Sequence, residues 1–462
     1  MLSRGLLYLA SLFNLYRFFL TEKFWWKTFG NSDYLYAYSY FQSLTSFSSI
    51  LDWNFPPSLY LFPDLLLAGI SYYLLQIFQR LTPELHFIGT IFLFQISTAY
   101  LIAKLILQEK FESNKLKRSL KPDSKQSIKY FFHTLIVFSL LNYSTLLFEF
   151  NLDQILYTNH NGIVILFLLT IYSIQTRNFY LLTCIIILGT ISDSMYFFLF
   201  LIYLWTMKDS IPFTKPSNSK SHSFFQKKYQ IIFSVVALFA IGLPYLGNYL
   251  EIISISQAYF TKYLSFNRLN SNNLIAVLEL IFEILFNYWF YFIILLYVLY
   301  HFLKRNSNSH KSISYLGIGN LVLVAIYLCF SRFFAWRYLP MFQFVLIWKI
   351  AQSKWRRFYF LVSLVLVVVF FWNQSYLGET LSEDRMPYLQ EIESIYQAYP
   401  ESVLCLDYWK ARPITIYSKK IPKDHIKACD SKGNSLNWIE SKERYYSDTK
   451  IEIEIKSKEY QR

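Results

Sequence analysis

Long apolar runs separated by short polar loops fill residues 1–373, and the pattern changes abruptly after that. A membrane-crossing helix needs roughly 20 mainly apolar residues, and 4–20, 86–107, 130–148, 230–248, 280–302, 315–334 and 358–373 supply them. Shorter apolar runs lie at 162–175, 179–191, 194–206 and 338–350. Helices this short rise only about 20 Å against a hydrocarbon core of about 30 Å. Their outer turns, at 149–161 and around Asp193, are therefore expected below the membrane surface, lining a recess open to the outside. The 4–20 run is followed by "TEKFWWKTF" and no small-residue cleavage site, which reads as a retained helix.

Segment 58–78 is apolar but follows Pro56 and Pro57 and carries Pro63 and Asp64 in its first turns. That composition suits a helix lying in the interface or dipping into the membrane. Beyond 373 the pattern is that of a small α+β domain: "MPYLQEIESIYQAYP" reads as a helix, "VLCLDYWKARPITIYS" as a buried strand with a second element, and "KIEIEIKSK" as a strand. The expected fold class is thus an all-α polytopic membrane domain (1–373) with a C-terminal α+β domain (374–462).

Composition agrees with the pattern and charge orients it. Only 16% of the 462 residues are charged, well short of the roughly 25% usual in soluble domains, so much of the chain avoids water. The net charge is +14. A basic excess of this kind marks either a nucleic-acid partner or cytoplasmic membrane loops, and its distribution decides for the loops. Loop 108–129 holds seven basic residues and 207–229 five, with further Lys and Arg in 303–314 and 351–357, whereas 149–161 has none. Residues 374–462 contribute 14 basic and 15 acidic residues, so the excess belongs to the membrane part and no nucleic-acid partner is implied. The positive-inside rule then gives eleven crossings, N-terminus inside and C-terminus outside, provided that 58–78 does not cross. Residues 21–85 become a first external loop and 249–274 a second.

Ionisable groups near the outer ends of the helices are the functional candidates, because charge in or near the bilayer is costly. Asp33, Asp52 and Asp64 lie in the first external loop, Asp153 and His160 in "NLDQILYTNHNG", and Asp193 in "GTISDSMYFF". Each has a plainer reading. Asp33 fits the N-cap of a helix starting at Tyr34, Asp64 the cap of the helix after Pro63, and Asp193 the cap of the helix after it. A lone His is usually a hydrogen-bonded structural residue. What favours chemistry is that all fall on one side in a topology read from Lys and Arg alone. Arg332 and Arg337, in "SRFFAWRYLP", break the charge rule by lying outside; guanidinium groups there suit a fixed anion and grip phosphate oxygens bidentately. Stacking on Phe333, Phe334 and Trp336 is the alternative. Glu279 and Glu283 share a helical face, and Lys23 and Lys27 flank Trp25 and Trp26 as interfacial anchors do. No P-loop, GxGxxG, HExxH, CxxC or GxSxG motif occurs, which argues against an ATP-driven pump, a dinucleotide enzyme and common hydrolases. Cys405 and Cys429 are candidates for a disulfide in an oxidising exterior.

In its order of features, over roughly residues 1–350, the chain resembles the integral-membrane glycosyltransferases of the C superfamily (GT-C), among them protein mannosyltransferases and aminoarabinose transferases. Asp33, in a D-x-x-Y setting, matches the acid of the first external loop; "FPPSLYLFPDLL" is similar to the Pro-rich lead into a juxtamembrane helix; "NHNGIVILFLL" and "ISDSMYFF" occupy two external turns; "RYLP" resembles an R-Y-x-x-P segment before a late helix. Two departures stand out: one acid where the family has a pair, and Ser192-Asp193-Ser194 where Lys-Gly-Pro is usual. The resemblance implies transfer of a sugar from a polyprenyl-phosphate donor to a lipid, glycan or protein acceptor on the outer face. Asp33 would be the catalytic base, Arg337 and Arg332 would bind the donor phosphate, and His160, Asp193, Asp52 and Asp64 would orient substrate. It fixes no cofactor and leaves room for a divalent metal. The location implied is a bacterial inner (plasma) membrane. "LDYWKARPI" is similar to the Asp-Tyr-Trp segment of external domains in bacterial relatives of this kind, with an acceptor-binding or lid role. A transporter or flippase for a lipid-linked or anionic substrate would also use an Arg-lined cavity, but predicts internal repeats, and none is seen. A non-catalytic membrane assembly protein is the third reading.

Overall fold

The computed structural model describes residues 32–44, 53–55, 59–114, 126–135, 162–176, 178–206, 219–252, 254–255, 316–324, 387–400, 402–429 and 452–454, with a few isolated positions. These are mostly helical. In chain order they form α1 (Ser32–Ser43), β1 (Asn54–Phe55), a π-helical turn (Leu61–Leu65) running into α2 (Leu66–Ile77), α3 (Pro83–Asn114), α4 (Gly162–Gln175), α5 (Phe179–Ser192), α6 (Ser194–Thr206), α7 (Ser219–Tyr249) and β2 (Ser254–Ile255). The C-terminal part adds α8 (Pro387–Ala398), β3 (Val403–Asp407), α9 (Tyr408–Tyr417), β4 (Ile426–Cys429) and β5 (Glu452–Glu454). Residues 126–135 and 316–324 are also helical.

Among the described residues two helices are long and apolar enough to cross a membrane, Pro83–Gln108 and Lys228–Tyr249; shorter apolar helices are Leu61–Ile77, Gly162–Gln175, Phe179–Ser192 and Ser194–Trp205. The second long helix leaves Ile231, Val235, Leu238 and Phe239 exposed, an apolar face that water would penalise and lipid would not. The core lies where α3, α4, α5 and α6 meet, around Ile102, Leu105, Leu166, Phe167, Ile186, Tyr196 and Phe200. Within it the Thr170 and Tyr196 hydroxyls bond to each other at 2.8 Å.

The α5–α6 hairpin turns on a single residue. The Asp193 carboxylate Oδ1 accepts the Met195 N–H at 2.9 Å, capping α6 as the Ser-Asp signature implies. Gly189 lets the hairpin close, because a Cβ there would lie 2.6 Å from the Tyr196 ring. The helix carrying Asp33 begins at Ser32, two residues before the expected Tyr34, so Asp33 occupies its first turn and is not its N-cap.

α2 packs on α3 through Ala68 and Ser71, and on α1 through Gly69, where a Cβ would lie 2.8 Å from the Phe41 ring. His86 Nε2 lies 3.0 Å from the Ala68 carbonyl, and the Ser71 hydroxyl donates to the His86 carbonyl at 3.0 Å. The opposite face of α2 exposes Leu66, Ile70, Tyr73, Leu74 and Ile77. These recur at helical spacing, as in a helix with its apolar side in an interface.

The C-terminal part has its own core of Ile392, Tyr396, Leu404, Leu406, Ala411, Ile414 and Ile426. Its sheet has the order β4–β3–β5, all parallel, with Cys405 opposite Lys427 and Asp407 opposite Cys429. Cys405 and Cys429 are disulfide-bonded with Cα atoms 5.5 Å apart.

Candidate functional site

The site is built where the starts of α3, α4 and α6 and the ends of α5 and α7 come together. Two short backbone links fix it. Asn54 and Phe55 of β1 pair in parallel with Ser254 and Ile255 of β2, tying the first loop to the segment after α7. Ser192, at the end of α5, then takes hold of the segment ahead of α2: its carbonyl accepts the Tyr60 N–H at 2.8 Å and its hydroxyl accepts the Phe62 N–H at 2.9 Å. Tyr60 adopts a left-handed conformation, φ 51°, unusual for a bulky residue, and the bond to Ser192 helps to hold it. The Phe62–Pro63 peptide bond is cis.

This tethering delivers Asp64 to the N-terminus of α4. The Gly162 N–H donates to Asp64 Oδ1 at 3.2 Å. Gly162 must be glycine for this approach, since a Cβ would run into Asp64 Oδ2 and lie 2.7 Å from Pro63 Cδ. The expectation that Asp64 caps its own helix is therefore corrected: neither the 61–65 turn nor α2 has a side-chain cap. The carboxyl is used across the fold, on the first N–H and the positive dipole end of a helix 98 residues away. Asp64 is buried, and that burial, reinforced by the charge of Asp193, raises its carboxyl well above the ordinary range against the lowering effect of the Gly162 N–H.

Beside the two acids lies an aromatic wall. Tyr36, Tyr40, Trp53, Phe55, Leu59, Leu65 and Ile255 pack together, with Ile191 against them. Tyr40 meets Trp53 edge-on at 5.2 Å between ring centroids. Burial pushes the Tyr40 hydroxyl up to about 12. Asp33 lies one helical turn before Tyr36 on α1. The C-terminal part closes over the same helix: α9 packs on α1, with the Arg412 guanidinium carbon 5.7 Å from the centre of the Tyr36 ring. The Tyr417 hydroxyl donates to Glu84 Oε1 at 3.2 Å, at the start of α3.

Of the residues singled out from sequence, Asp64 and Asp193 are brought together and Asp33 is carried on the adjoining helix. Asp52, Asp153, His160, Arg332, Arg337, Glu279, Glu283, Lys23 and Lys27 lie outside the described residues. Sequence reasoning missed Gly162 and Arg412. A glycine between "NHN" and an apolar helix, and an arginine inside a stretch otherwise read as buried, were the available signals. Among the described residues no three metal-ligating side chains cluster. The acid pair supplies two carboxyls, each already accepting a backbone N–H, from Gly162 and from Met195.

Compared with models of known protein families, with curated protein sequences and with solved structures, the chain matches none.

Proposed function

We propose that the chain is a GT-C-type membrane glycosyltransferase, with eleven crossings and a C-terminal domain outside. It would move a sugar from a polyprenyl-phosphate donor to a lipid, glycan or protein acceptor on the outer face. The reading rests on the sequence resemblance given above, and one observation carries it further. Turns up to 130 residues apart, around Tyr60–Asp64, Gly162 and Ser192–Asp193, meet beside the helix that bears Asp33. Those turns are the ones the Lys and Arg pattern assigns to the outside, and β1–β2 pairing joins the two external loops at the same end. The exposed apolar stripe of α2 supports an interfacial position for 58–78.

In the proposed reaction an acceptor hydroxyl oxygen attacks the anomeric carbon and gives its proton to Asp33 as general base. The bond from that carbon to the phosphate oxygen breaks, with inversion, and polyprenyl phosphate leaves. Arg337 and Arg332 are assigned to the charge developing on the leaving phosphate. His160, Asp52, Asp64 and Asp193 orient the substrates. Burial and the charge of Asp193 raise the Asp64 carboxyl above the ordinary range, so it holds a proton more readily than a surface acid does. The test is the envelope glycan and lipid-A profile of a deletion strain complemented with wild type or with Asp33→Ala. The proposal expects the missing sugar to return with wild type only; full rescue by Asp33→Ala sinks the catalytic assignment.

A further inference from the structure

The C-terminal part has its own core and disulfide. Yet it places a cation where apolar packing would serve for attachment. Arg412 is 1% exposed, the largest fully buried side chain among the described residues. Its helix is used on two sides: Ala411 and Ile414 face the domain's own core, while α9 lies along α1 and sets the Arg412 guanidinium over the Tyr36 ring. Taking a guanidinium out of water is costly unless its surroundings compensate. A leucine would dock the two helices without that cost. A planar cation on a ring, by contrast, fixes position and rotation together. The Tyr417–Glu84 hydrogen bond adds a second fixed point at the start of α3, so α9 spans from α1 to the mouth of the helix bundle. What it fixes is the helix whose first turn holds Asp33.

We propose that Arg412 is a positioning residue for the site: through Tyr36 it sets the axial position and rotation of α1, so that the C-terminal domain completes the catalytic arrangement and is more than a lid. This rests on the glycosyltransferase reading.

The experiment uses the full-length protein in detergent or nanodiscs, as wild type, Arg412→Ala, Arg412→Lys and Asp33→Ala. Two readouts are taken. Hydrogen–deuterium exchange is followed over peptides from 32–43 and, as reference, from 162–206. Turnover is followed as release of polyprenyl phosphate from a panel of undecaprenyl-phosphate monosaccharides, with an envelope lipid and glycan extract supplied as the acceptor hydroxyl. For Arg412→Ala the expected result is faster exchange confined to 32–43, kcat at least tenfold lower and KM within threefold. Arg412→Lys keeps the charge without the plane and should fall between. Unchanged exchange at 32–43 overturns the proposal. Exchange that rises throughout also overturns it, since Arg412 would then serve only overall folding, and a rise in KM at constant kcat would make it a substrate-binding group. Local loosening with turnover within twofold of wild type, while Asp33→Ala is inactive, overturns it too. Asp33→Ala turning over at the wild-type rate would instead refute the assignment of Asp33, whatever Arg412 does.

Discussion

Replacing Gly162 by alanine is the sharpest probe of how the three turns are held together. The added Cβ would lie 2.7 Å from Pro63 Cδ and 2.8 Å from Asp64 Cγ. Carbon atoms settle at about 3.5–4.0 Å, so the 63–64 segment must retreat by roughly 1 Å. It cannot do so freely, because two N–H groups just ahead of it donate to Ser192 at 2.8 and 2.9 Å. Overpacking of this kind costs about 1–3 kcal/mol, and each weakened neutral hydrogen bond about 1 kcal/mol. The gain in helix propensity from Gly to Ala returns at most about 1 kcal/mol. The balance is a loss of about 2–4 kcal/mol, located at the site. Gly242→Ala provides the control, since a Cβ there meets nothing within 4 Å. Thermal unfolding in detergent should place Gly162→Ala several degrees below wild type, with Gly242→Ala at or above it. A melting temperature for Gly162→Ala no lower than that of Gly242→Ala would refute the contact. If Asp64 is the obstacle, Asp64→Ala added to Gly162→Ala should restore part of the loss, giving a non-additive cycle.

Other outcomes follow from the same geometry. A carboxyl whose pKa is higher folded than unfolded favours the fold while protonated; that contribution is whole below its ordinary value of 3.8 and is lost as pH rises toward the folded value. Wild-type stability should therefore decline across that window and Asp64→Asn should decline less, whereas equal pH slopes in thermal unfolding would contradict the burial argument. In a Cys184→Ser, Cys329→Ser background, maleimide should label no cysteine of the folded or denatured chain until reductant is added, and two afterwards. Opening the Cys405–Cys429 loop, of sequence separation 24, should cost about 3 kcal/mol by chain entropy, read as earlier proteolysis of the C-terminal domain. A reporter fused at Ser119 should read cytoplasmic, and an external reading would restore 58–78 as a crossing.

Much of this fold is written locally. Three of the four expected short helices emerge within a residue of their bounds, 162–175, 179–192 and 194–206, because each is an apolar run cut by a polar turn; the fourth, 338–350, lies outside the described residues apart from three positions. The Asp193 cap is legible for the same reason, its partner being only two residues away. The elements after 373 also follow pattern: an amphipathic helix at Pro387–Ala398, a buried strand at Val403–Asp407 and a strand within "KIEIEIKSK". Asp64 shows where local reading ends. Its environment matches a cap signature, yet its partner is Gly162, reached only because Ser192 holds the backbone between Tyr60 and Phe62. Arg412 is hidden in the same way: its position is set where α9 meets α1, and nothing in "KARPI" itself announces that helix. Patterns of three or four residues specify elements, while the meeting of distant turns depends on packing that a single sequence does not spell out.

The central claim is inverting sugar transfer from a lipid phosphate with Asp33 as base, and the stereochemistry of one turnover tests it most directly. The protein is given an undecaprenyl-phosphate sugar of defined anomeric configuration, and the configuration of the transferred or released sugar is read by NMR. The account predicts inversion at the anomeric carbon, with product lost in Asp33→Ala. Retention of configuration, or inverted product formed by Asp33→Ala at the wild-type rate, would contradict it.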